Sequence, residues 1–282
     1  PFEDIESLIS GCSSVFHDMS PELGGMFDML RERESLDLES RKGKAPGGYQ
    51  ANLEKTRIPF IFMNAAGTHD NLSTMLHEAG HAFHSCYSSD LDLIGERNPP
   101  LEFAEVASMS MELMSQPQWG VFYSDEDARR AKLDDLEKIV CFLPWMSTID
   151  AFQHWVYANP EHTREDRSEH WLKLRSRFGP RTDWSGFDEL KETSWQSQLH
   201  LFQVPFYYIE YGIAQLGALQ MWHHHRRDNA DGLARYARAM KLGNTKPLPE
   251  LFEAAGLDLG FSEEHVASLI GELSEAMAEI RA

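Results

Sequence analysis

The run His77-Glu78-Ala79-Gly80-His81 sets two histidines four positions apart, with a carboxylate directly after the first. On a helix that spacing puts both imidazoles on one face, one turn apart, so both can reach a single metal ion. Glu78 falls at the edge of that face. Its carboxylate can take a proton from a metal-activated water without ligating the ion, which is the chemistry of hydrolysis. The flanking Leu76, Ala79, Ala82 and Phe83 are apolar or small, so the helix reads as buried. Burying His, Glu and His together is costly unless something pairs them, and a metal does. A surface helix with two solvated histidines is the competing account, and those flanks argue against it.

A catalytic zinc takes three protein ligands and keeps one position open. The metzincin extension of the motif needs glycine at position 84 and histidine at 87. The chain has His84 and Tyr87, which excludes that class. His84 shares the motif face but lies roughly 10 Å along the axis from His77, so it reads as a neighbouring or cleft-lining residue. Glu105, inside Phe103-Ala104-Glu105-Val106-Ala107-Ser108, is the better third ligand, because a free carboxylate is unfavourable among such neighbours. Glu102 and Glu112 are its rivals. Glu102 falls in a helical first turn, where the dipole alone explains a carboxylate. Glu112 sits two turns beyond Glu105 and could orient a ligating histidine from behind.

Helices must position these groups. The pattern predicts helices over 2–19 and 21–34, parted at Ser20-Pro21, then a basic, glycine-rich loop over 41–50. Residues 57–63 read as a strand, with Ile61 to Asn64 as an edge strand beside the motif helix. Gly67 breaks that strand, Asp70 is the expected N-cap, and the motif helix runs to about Tyr87. Further helices are expected over 101–114, 125–158 with a bend at Pro144, 164–178, 205–225, 229–242 and 262–282. No repeat or linker divides the chain. The expectation is one mainly α domain over 1–282, with a small β element beside the metal-binding helix.

Twenty-six basic against 45 acidic residues leave a net charge of −19, which repels nucleic acid and anionic membrane. No apolar stretch is long enough to span a bilayer. The acidic start shows no signal peptide, and a chain beginning at proline looks cut from something longer. Cys12, Cys86 and Cys141 are too scattered for a disulfide framework and fit small core hydrophobes in a reducing, cytoplasmic setting.

The segments IPFIFMNAAGTHDNLSTMLHEAGHAFHS (58–85), FAEVAS (103–108) and VPFYYIEYG (204–212), after RKGKAPGGY at Arg41, resemble the thimet oligopeptidase and oligoendopeptidase F family in order over most of the chain. The resemblance implies zinc held by His77, His81 and Glu105, with Glu78 as general base. It implies a mostly helical, clam-like body whose cleft admits slim, unfolded peptides, so a zinc endopeptidase acting on oligopeptides. Family members are longer, so this chain reads as the C-terminal, active-site half, and the missing N-terminal portion becomes an expected partner.

Peptide hydrolysis also needs donors for the oxyanion. Tyr207, Tyr208 and Tyr211 can share one helix face, although aromatic stripes at that spacing are more often core. The resemblance assigns oxyanion donation to Tyr211 and His200, and substrate contact to Tyr208 with Tyr207 in reserve. Asn64 and Gly67 are expected beside the substrate strand, Gly67 also serving the turn into the helix. Arg41, Lys42 and Lys44 are expected to be a solvated basic loop, and His223-His224-His225 a solvated helix end.

Overall fold

The computed structural model describes Pro1 to Ala282 and is mainly helical, with a three-stranded sheet. Helix α1 (Ile5–Met19) opens on a reciprocal cap, Ser7 N–H to Asp4 at 2.8 Å and Asp4 N–H to Ser7 Oγ at 3.1 Å. Ser20 ends α1 in an extended conformation, as a residue before proline must, and its side chain caps α2 (Pro21–Glu32). The ring of Phe16 packs on Phe27 at 5.1 Å and on Phe83 at 4.8 Å, which fixes this helical pair against the motif helix.

The strands are β1 (Leu36–Glu39), β2 (Tyr49–Leu53) and β3 (Ile58–Ala65). Their order is β1-β3-β2, with β3 parallel to β1 and antiparallel to β2. The expected edge strand at Ile61–Asn64 is therefore the central strand, and its backbone groups are used on both sides. Strand order depends on pairing between distant segments, which a period-two pattern does not encode. The free edges belong to β1 and β2.

The basic loop also departs from expectation at Lys44, whose side chain is 1% exposed. Its Nζ faces Asp37 O at 2.8 Å, Asp37 Oδ1 at 3.1 Å, Glu39 O at 2.9 Å and Met63 O at 2.5 Å. A flexible stem let the charge reach back to carbonyls at the sheet's end, so burial is compensated. Arg41 grips the same Asp37 with two bonds, at 2.6 and 2.8 Å, while Lys42 stays exposed.

Gly67 adopts φ +81° in the turn between β3 and α3 (His69–Tyr87). Thr68, not Asp70, is the N-cap, exchanging bonds with Asn71 in a capping box; Asp70 sits inside the first turn. Then come α4 (Ile94–Arg97), α5 (Leu101–Met114), a 3-10 turn (Gln116–Val121) and α6 (Asp125–Ala158). Helix α6 continues through Pro144 as one element. The rest are α7 (Arg164–Phe178), α8 (Asp188–Thr193), α9 (His200–Gln203), α10 (Tyr208–Arg227), α11 (Asn229–Met240), α12 (Leu248–Ala255) and α13 (Glu263–Arg281). Helix α10 starts later than expected because Phe206 turns at φ +63° just before it.

The chain groups into two compact units, Pro1–Leu133 with Ala214–Ala282, and Asp134–Ile213. The second unit is built on Ile149, Phe152, Trp171 and Leu174. In the first, His223 and His225 are buried rather than solvated, His223 lying 3.1 Å from Glu272 on α13. Packing of α13 covers a helix end that reads as polar in sequence. Cys141 is exposed, unlike the core thiol expected, whereas Cys12 is buried. No helix is long and apolar enough to cross a membrane.

Removing the Lys44 ammonium takes its donor from the carbonyls of Asp37, Glu39 and Met63 and leaves the Asp37 carboxylate to Arg41 alone. Lys44→Ala is expected to lower unfolding free energy by about 2–3 kcal/mol, read from the urea midpoint at unchanged slope.

Candidate active site and metal centre

Helices α3 and α5 cross where a Cβ on Gly80 would lie 2.6 Å from Ser108 Cα and 2.8 Å from Ala107 O. Only glycine fits there. The close crossing brings Glu105 of α5 to the motif face of α3. Its Oε2 lies 3.3 Å from His77 Nε2 and 3.7 Å from His81 Nε2. The three ligand atoms fall within 4.8 Å of one another, a group able to hold one ion. Ser108 Oγ donates to Glu105 Oε2 at 3.1 Å. Glu112, one of the rivals for ligation, instead meets His77 Nδ1 at 2.7 Å and leaves Nε2 turned to Glu105. Glu102 is not in the group. His84 does not line a cleft: it is 2% exposed, packs its edge on Phe103 at 6.0 Å, and neither ring nitrogen has a partner.

The cluster divides its charges by environment. Burial, then the neighbouring Glu105, pushes the Glu78 carboxyl up to about 7, with His77 opposing. Burial works against ionisation of Glu105 too, but its bond to His77 and the charge of His81 outweigh it and hold its pKa low. Burial, reinforced by His77, brings His81 down to about 4. For His77 burial opposes the charge, yet Glu105 and Glu112 together hold its pKa well above the ordinary value. Two imidazoles and one carboxylate converging with no apolar filler between them fit a divalent ion of the zinc type.

A cavity of about 400 Å³ opens beside the centre, lined by Gly48, Asp70, Ser73, Thr74, His77, Glu78 and Glu112. Gln50 of β2 gives its backbone N–H to Glu78. Asn64 is spent on the preceding loop, its amide donating to Ala45 O at 2.8 Å and Gly47 O at 3.1 Å. Gly67 serves the turn into α3.

The second unit gathers His200, Tyr207, Tyr208 and Tyr211. The His200 ring lies 6.0, 4.9 and 5.8 Å from those three rings in turn. Tyr207 precedes α10 rather than sharing its face, yet its hydroxyl accepts from Tyr211 at 3.4 Å. Gln198, facing His200 Nδ1 at 2.6 Å, receives the Trp145 indole N–H at 3.1 Å. An amide N–H on Nδ1 leaves the ring proton on Nε2.

The chain matches the profile of Peptidase family M3 over residues 14–269. It belongs to that family. Among solved structures it is similar to PZ peptidase A with inhibitor 2, at 34% identity and TM-score 0.90, over 99% of this chain and 50% of that one. It is also similar to a putative oligoendopeptidase F from Bacillus anthracis, at 30% identity and TM-score 0.84, over 100% and 48%. The oligoendopeptidase F homolog of Mycoplasma pneumoniae is 24% identical, over 77% of this chain and 38% of its own length. The M3 chain thus spans about half the length of the solved relatives and less of that curated one.

Three supporting groups of this M3 chain escaped sequence reasoning: Ser108 on Glu105, the Gln50 N–H on Glu78, and Gln198 on His200. Ser108 alone left a signal, three residues from Glu105 and so on its helix face. Glu112→Gln keeps the shape of the partner on His77 but removes its charge. The expected result is a 10–100-fold weaker zinc dissociation constant, measured by chelator competition, with the fold intact by circular dichroism.

Proposed function

We propose that this chain carries the catalytic centre of a zinc-dependent endopeptidase that hydrolyses short, unfolded oligopeptides. The observation that carries the reading is Glu105 Oε2 set between His77 Nε2 and His81 Nε2, with Glu78 buried beside them. His77, His81 and Glu105 would hold the ion. When bound, it supplies Lewis acidity to the scissile carbonyl and lowers the pKa of water. Glu78 takes the proton from that water and passes it to the leaving amine. The Gln50 backbone N–H favours the charged form of that carboxylate. An extended peptide adds along the outer edge of β2, the free edge beside Glu78, in place of the edge expected on β3. The roles of Tyr211 and His200 as oxyanion donors, and of Tyr208 and Tyr207 as substrate contacts, belong to this proposal.

The oligopeptide preference is supported by the names of the relatives, two of which are called oligoendopeptidase F. Because the chain spans about half of the solved relatives, a second reading is a zinc- or peptide-binding fragment whose cleft is completed by further sequence. A quenched fluorescent peptide, offered to this chain and to the complete gene product, separates the two.

Glu78→Gln should leave zinc content and fold unchanged while turnover drops by about 10²–10⁴-fold. Full retention of hydrolysis sinks Glu78 as base; loss of zinc makes it structural. Tyr211→Phe should lose roughly 10²–10³-fold in turnover with a smaller change in KM, and equal loss in binding would remove it from the oxyanion role.

A further inference from the structure

Tyr236 lies on α11, far in sequence from the motif, and is fully buried. Its hydroxyl stands 3.2 Å from Gly80 O on α3 and 3.2 Å from Ala107 O on α5. One phenolic proton serves two carbonyls on two different helices. A buried phenol must find some acceptor, so a single bond would need no special account. The two acceptors here, however, flank the point of closest approach, where Ala107 O is among the atoms that exclude a Cβ from Gly80. Gly80 directly precedes His81, and Ala107 lies two residues past Glu105.

We propose that Tyr236 is a positioning residue for the metal centre: its hydroxyl pins the α3–α5 crossing at which Glu105 meets His77 and His81. The inference rests on the metal reading above. If the pin is released, the carbonyls of Gly80 and Ala107 lose their shared donor and the helices are free to slide. The distances from Glu105 to the two imidazoles then change with no ligand altered. Tyr87 marks the contrast. Its ring packs edge-on near Tyr236 at 6.4 Å, but its hydroxyl bonds to Glu22, away from the crossing.

The test compares wild type, Tyr236→Phe and Tyr87→Phe by zinc affinity from chelator competition and by visible absorption after cobalt loading. Tyr236→Phe should weaken zinc binding on the order of tenfold, at the low end for partners behind metal ligands, and should shift the cobalt bands. Tyr87→Phe should leave the bands in place even if its melting temperature falls. Wild-type affinity and an unshifted spectrum in Tyr236→Phe overturn the proposal. If Tyr236→Phe does not fold, the wild-type chain with ¹³Cζ-tyrosine decides: the Tyr236 resonance must move on zinc binding, and a stationary signal overturns the pin. A wild-type chain that binds no zinc fails earlier, before any substitution, and takes down the metal reading together with the inference.

Discussion

A carboxylate held at 7% exposure between two imidazoles is the constraint to which the rest of the first unit answers. Glu105 can stay ionised there only while His77, His81 and Ser108 face it, and that requires α5 to lie against α3 closer than any residue but glycine at position 80 allows. The other elements hold that contact. Helices α1 and α2 brace α3 through Phe16 and Phe83, and β3 delivers the chain into α3 through Gly67. On α5, the Phe103 ring packs against Phe252 of α12 at 5.7 Å. With Glu78 and Glu112 alongside, three carboxylates surround two imidazoles, a balance that favours a dication over an empty centre.

Glu78 and Glu105 show how one residue type titrates in opposite directions within one cluster. Glu105 faces two imidazoles whose attraction outweighs its burial, so its carboxylate stays ionised. Glu78 has the burial without an equal share of the attraction, and its carboxyl rises to about 7. A carboxyl poised there gains and loses protons near neutrality, which a base that must return its proton requires.

The centre was legible because its information is local. His77, Glu78 and His81 lie within two helical turns, and Glu105 stood out as a charge in an apolar run. What depended on distant segments was not legible. The edge assigned to β3 belongs to β1 and β2, because pairing decides strand order. Lys44 reads as loop charge until Asp37, Glu39 and Met63 are seen to converge on it. His223 and His225 read as a polar helix end because the covering helix arrives only at the end of the chain. Thr68 outcompeted Asp70 as cap because Asn71 reciprocates its bond.

In the proposed chemistry the aromatic group of the second unit suits donation rather than proton exchange. Burial lowers the pKa of His200, so its imidazole is neutral near pH 7, and Gln198 on Nδ1 leaves the N–H at Nε2. Burial raises the pKa of Tyr208, which keeps that phenol protonated over the same range. A neutral N–H on His200 can stabilise developing negative charge and a neutral phenol on Tyr208 can contact substrate, each without giving up its proton, and neither would serve as the base. In the proposed chemistry proton transfer therefore falls to Glu78 alone, with His200 and Tyr211 left to hold the oxyanion. Trp145, by fixing Gln198, sets which nitrogen of His200 carries the proton, so a partly buried tryptophan packed on the second unit's core decides what that histidine can do.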